Sequence, residues 1–113
     1  MSYFMNQEAV QEMLTEVQSM LAVLLDEYFK IDNPLTIDWE ADTRDFCGNT
    51  QEDLEKFGHV MLDLHLYYQV DGIDYEPHTE YEEFPTLNHA YDYIVTKVLI
   101  KNGIDPDTLE PTS

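Results

Sequence analysis

Positive charge is scarce: five Lys and Arg stand against 24 Asp and Glu in 113 residues, a formal net charge of −19 at pH 7. That imbalance argues against direct binding of nucleic acid or an anionic membrane, because phosphates would be repelled from almost every side. Cysteine is nearly missing. Cys47 alone can close no internal disulfide and completes no Cys-based metal motif, which fits a reducing compartment and a cytoplasmic location. Its acidic surroundings are expected to raise the thiol pKa. Only four glycines occur. No Gly-rich phosphate loop, G-x-S-x-G elbow or nucleophile with a recognisable base is present, so the chain does not read as an enzyme and calls for no cofactor. Long hydrophobic runs are missing too: Met20–Leu25 is bounded by acidic residues and Met1–Asn6 has no positive charge, so neither a membrane span nor a signal peptide is expected.

What is present is a core. The chain is 43% hydrophobic and 12% aromatic, enough for one folded domain, expected over 1–104 with a flexible tail at 105–113. Self-repulsion at a net charge of −19 opposes compaction, so the charge is read as functional.

Helical spacing of Val10, Met13, Leu14, Val17, Leu21, Leu24, Leu25 and Tyr28 predicts a helix over Gln7–Phe29, capped by Asn6. Glu8, Glu12 and Glu16 line its polar side at i, i+4 intervals. Asn33-Pro34 breaks that helix, and Leu35–Asp42 alternates as a half-buried strand. Thr50 and Asp53 predict a short capped helical turn closed by Gly58. His59–Val70 alternates again, and Asp71-Gly72 predicts a two-residue hairpin turn into a third strand from Ile73. Pro85-Thr86 opens a second long helix ending at Asn102-Gly103.

The order α-β-(short α)-β-β-α gives an α+β fold, with two long helices packed on one face of a three-stranded antiparallel sheet. Pairing Val70 with Ile73 would set Gln69 opposite Asp74, Tyr67 opposite Glu76, His65 opposite His78, Asp63 opposite Glu80 and Met61 opposite Glu82. The solvent face of that sheet then carries one sign of charge. Outward side chains on a strand recur at about 6.6 Å, similar to backbone phosphates, so such rows suit a Lys- and Arg-lined groove built for nucleic acid. The expected partner-binding set is Asp38, Glu40, Asp42, Asp63, Tyr67, Asp74, Glu76, Glu80, Glu82 and Glu83, with Tyr67 as an exposed aromatic anchor. The His65 and His78 pair among carboxylates is the one arrangement suggesting a divalent metal, although neither supporting spacing nor a Cys motif accompanies it, and no metal is assigned.

With its small size, extreme acidity, single domain and carboxylate rows such as Asp38, Glu40, Asp42 and Asp74, Glu76, Glu80, Glu82, the chain resembles small acidic inhibitors of phages and mobile elements. These include anti-CRISPR, anti-restriction and DNA-repair-enzyme inhibitor proteins. The resemblance implies a stoichiometric DNA mimic that occupies the basic nucleic-acid-binding groove of a host defence or DNA-processing protein. An immunity protein for a basic toxin such as a nuclease, or a structural protein of a virion, uses the same electrostatics.

Overall fold

The computed structural model describes residues 7–31, 33 and 36–110. Met1–Asn6 with its expected cap, the breaker Pro34, Leu35, and Pro111, Thr112 and Ser113 of the expected tail lie outside the described residues. Among the described residues five helices form: α1 (Gln7–Phe29), α2 (Thr43–Cys47), α3 (Gln51–Tyr68), α4 (Glu80–Glu83) and α5 (Leu87–Lys101). Among the described residues there is no sheet, only an isolated antiparallel bridge between Asp42 and Thr86. The α+β expectation is thus corrected to a helical fold.

The correction turns on residues 59–70. Their period-2 alternation coexists with a helical stripe that starts one turn earlier, Phe57, Val60, Met61, Leu64 and Tyr68. The capping box decides between the two. Thr50 Oγ1 accepts from the Asp53 amide at 3.0 Å, and the Asp53 carboxylate accepts from the Thr50 amide at 3.4 Å. Once that first turn is nucleated, each added residue contributes a hydrogen bond. Gly58 is passed through as helix, since an interior glycine costs only about 1 kcal/mol relative to alanine. Phe57, Val60, Met61 and Leu64 become fully buried, whereas Leu62 and Leu66, expected inside, are 37% and 67% exposed.

Helix α3 stops at Gln69, which takes the left-handed conformation (φ 52). The Lys101 ammonium, from α5, donates to the carbonyls of Tyr68 (2.8 Å) and Gln69 (2.9 Å), satisfying groups a helix end leaves open. With no second strand to pair, Asp71-Gly72 makes no hairpin, and the chain crosses without a ladder to α4. The first expected strand fails as well. Thr36–Asp42 folds into turns, with the Ala41 amide bonded to the Asp38 carbonyl at 3.0 Å.

Both long helices expected from the sequence form, α1 over Gln7–Phe29 and α5 from its Thr86 cap to Asn102, with Gly103 left-handed beyond it. Val17, Leu21 and Leu25 of α1 pack with Val60 and Leu64 of α3 and with Ala90, Ile94 and Val98 of α5. Each such valine, leucine or isoleucine side chain taken from water stabilises the fold by roughly 2 kcal/mol. The connection into α4 is pinned by rings: Tyr75 lies edge-on to Phe84 (5.2 Å), Phe84 to Tyr93 (5.0 Å), and Phe57 meets Tyr81 at 5.8 Å. Among the described residues, no helix is long and apolar enough to cross a membrane.

Candidate functional site

Without a sheet, the expected partner-binding residues disperse. Asp38 lies in a turn, where its carboxylate accepts from the Glu40 amide, and Glu40 reaches Asn88 on α5 at 3.2 Å. Asp42 is the N-cap of α2, accepting from the Arg44 amide at 2.8 Å and the Asp45 amide at 3.3 Å. Asp63 accepts the Tyr28 hydroxyl at 2.8 Å, a bond between α3 and α1 that, with burial, raises the tyrosine pKa. Asp74 forms an ion pair with Lys97 at 2.6 Å. Tyr67 is exposed and packs edge-on to Tyr68. Glu76, Glu82 and Glu83 are exposed.

The pairs drawn from a hairpin register, Asp63 with Glu80 and His65 with His78, do not form one face. His65 is buried, with Nδ1 at 2.7 Å from the Met61 carbonyl oxygen and Nε2 at 3.0 Å from the Tyr93 hydroxyl. His78 is exposed on the 71–79 connection, 3.3 Å from the Gln51 amide nitrogen. Among the described residues, no group of three or more His, Cys, Asp or Glu is placed to hold a metal ion.

Glu80 is the exception within the expected set. Placed on an outer sheet face by the alternation, it is instead only 6% exposed, at the start of α4. Its Oε2 is buried and has no hydrogen-bond partner. The carboxyl group fits against α3 at Gly58, where a Cβ would sit 2.7 Å from Oε1, so the absence of a side chain there makes the room. Both residues line a cavity of about 300 Å³ between α3 and the 73–80 segment. Its apolar lining comes from Leu62, Ile73, Tyr75 and Pro77, and its rim from Glu55, His59 and His78. The Tyr75 hydroxyl is also buried without a partner, and burial, then the nearby Glu80, hold its pKa well above the ordinary tyrosine value.

Sequence reasoning reached Glu80 and missed the rest of this cavity. The signal was there in helical form: Glu55, Gly58, His59 and Leu62 fall at i, i+3, i+4 and i+7, one side of a helix. A second, more open cavity of about 440 Å³ brings Asp74 and Glu83 together with Asp92, Tyr93 and Lys97. Here the Lys97 ammonium also lies 5.2 Å from the Tyr93 ring centre, so the acidic character is partly cancelled. Burial alone would lower the Lys97 pKa, but the bond to Asp74 and the field of Tyr93 and Asp71 carry it above its ordinary value.

Most of the cations are occupied internally. Arg44 sits over the Tyr81 ring at 5.7 Å, Lys56 pairs with Glu52 at 3.7 Å, and Lys97 and Lys101 are held as above. The Cys47 thiol is buried, and burial followed by the Asp53 carboxylate pushes its pKa up to about 12, far from a reactive thiolate. Comparison with protein-family models, curated proteins and solved structures gives no match to this chain.

Proposed function

We propose that this protein is a stoichiometric ligand for a strongly basic protein surface, one that otherwise holds nucleic acid, and that it works by excluding the nucleic acid. The observation carrying this reading is surface charge left uncompensated. Among the described residues Glu80 is the only buried carboxyl group, and two ion pairs form, Lys56 with Glu52 and Lys97 with Asp74. The net charge of −19 is borne by a body with a longest dimension of 51 Å. A DNA duplex of that length carries about 30 negative charges, so the protein offers a comparable field to a groove lined with Lys and Arg.

Mimicry by strand rows has no basis in this fold, but α1 supplies a row of its own. Glu8, Glu12 and Glu16 are exposed and one helical repeat apart, rising about 6 Å per step. Like charges at this spacing cost a few tenths of a kcal/mol per pair, a cost that a partner's cations would remove.

The test is capture of partners by the tagged protein at low and at roughly 0.5 M salt, where the screening length falls to a few Å, followed by challenge with duplex DNA. Retention of a nucleic-acid-binding protein that salt and DNA both release is the expected result. A partner that DNA leaves in place removes the mimic reading and favours an antidote or assembly role. The variant E8Q/E12Q/E16Q is expected to weaken the captured complex at least tenfold while keeping the helical fold.

A further inference from the structure

The cavity at Glu80 poses an electrostatic problem that the chain does not solve for itself. A buried carboxylate is costly unless a cation or several donors meet it. Oε2 has none, and among the described residues no Lys, Arg or His comes within ion-pair distance of Glu80. The two rim imidazoles are engaged elsewhere, His59 stacked on Tyr28 at 6.3 Å and His78 beside Gln51. Tyr75, whose buried hydroxyl is a second unpartnered group, lines the same cavity. Beyond these and the exposed Glu55 on the rim, the lining is apolar, and the exposed Leu62 and Ile73 stand at its mouth.

We infer that this cavity is a socket for an arginine side chain of the basic partner, with the guanidinium on Glu80 and the aliphatic stem against Leu62, Ile73 and Pro77. This inference rests on the proposed binding of a basic protein, and it names the anchor of that interface. Guanidinium fits better than ammonium on three counts. It presents five N–H donors in a plane, enough to serve both Glu80 and the Tyr75 oxygen. It is more weakly hydrated, so entering a largely apolar cavity costs less. It also stacks on rings, and Tyr75 supplies one. A desolvated arginine in a central pocket is the kind of contact that dominates protein interfaces, whereas rim carboxylates chiefly speed encounter.

The experiment uses the intact protein, isotope-labelled, titrated with N-acetyl-arginine amide and, in parallel, with butylammonium while amide resonances are followed. Saturable shifts centred on Gly58, Leu62 and Ile73, at least fivefold tighter for the arginine probe, are expected. E80Q should abolish them. Because E80Q alters a buried group, I73K provides a second variant at an exposed position; its tethered ammonium should compete for Glu80 and weaken the arginine probe at least fivefold. Weak, non-saturating shifts spread over the acidic surface and unchanged in E80Q would overturn the socket, as would tighter binding of butylammonium. The two proposals fail separately. A captured partner that DNA displaces, but that binds E80Q and I73K as tightly as the parent, removes the socket and leaves the mimic reading standing. Saturable arginine binding at Gly58 without any DNA-displaceable partner does the reverse.

Discussion

Glu80 concentrates the conflict between stability and binding in a single side chain. A buried carboxyl oxygen without a partner lowers stability by its lost hydration, on the order of 1 kcal/mol or more. Replacing it with methionine, which keeps the length and drops the polar atoms, is therefore expected to raise unfolding free energy by about 1 kcal/mol in a urea titration while removing arginine binding. Gly58 is its structural complement. An interior Gly→Ala change normally stabilises a helix by about 1 kcal/mol, but here the new methyl would press on Oε1. G58A should deliver clearly less than that in the parent and the full gain in an E80A background, a non-additivity that a double-mutant cycle in urea reads directly.

Titration at the same scale has a definite sign. Cys47 keeps its proton up to about 12 against an ordinary 9.0, and Tyr68, Tyr75 and Tyr81 are raised from 10.0, in each case chiefly by burial. The folded state thus holds protons that the unfolded chain releases. Stability from these groups is complete below their ordinary values and falls as pH rises, from about pH 9 for the thiol and from about pH 10 for the phenols. Urea midpoints measured from roughly pH 8 to roughly pH 11 should decline. A flat stability profile over that range would contradict the burial of these groups.

Among the elements, α3 shows what was and was not legible in the sequence. Helices α1 and α5 could be read because their apolar residues follow one period and their ends carry unambiguous signals such as Thr86 and Asn102-Gly103. Residues 59–70 carry apolar or aromatic side chains at eight of twelve positions, placed so that they satisfy both periods, and local pattern alone does not choose. The choice lies six to nine residues upstream, in the Thr50 and Asp53 box, a signal that marks where a helix starts and not how far it runs. Because the strand reading of 59–70 set the register, it also decided the candidate site: Asp63 became an outer-face residue instead of the acceptor for Tyr28, and Glu80 an exposed partner of Asp63 instead of a buried group. Two variants probe the element itself. T50A should lower stability by about 1 kcal/mol through loss of the cap. Q69G should raise it by about 1 kcal/mol, since glycine adopts the left-handed end of α3 without the strain of a Cβ. Both are read from urea curves.

On the scale of the whole molecule, charge acts on every equilibrium at once. The screening length is about 30 Å at 0.01 M salt and about 8 Å at 0.15 M. Against a body of 51 × 30 × 21 Å, the low-salt field spans the protein and the higher-salt field does not. Thermal midpoints are accordingly expected to rise over this interval as self-repulsion is relieved, while association with a basic partner slows. A midpoint indifferent to salt would mean that the surface charge exerts no strain on the fold.

The two walls of the Glu80 cavity differ in how they are built. One is α3, tied by its own main-chain bonds from Thr50 to Gln69. The other, residues 73–80, runs without a ladder and is pinned by the ring of Tyr75 against Phe84 and Tyr93. Substitutions at Ile73 and Pro77 therefore reshape the opening without disturbing a helix. The molecule carries an inheritable adjustment screw: mutation at Ile73 or Pro77 can retune what enters the cavity without touching the main-chain bonds of α3, so recognition is free to evolve faster than structure.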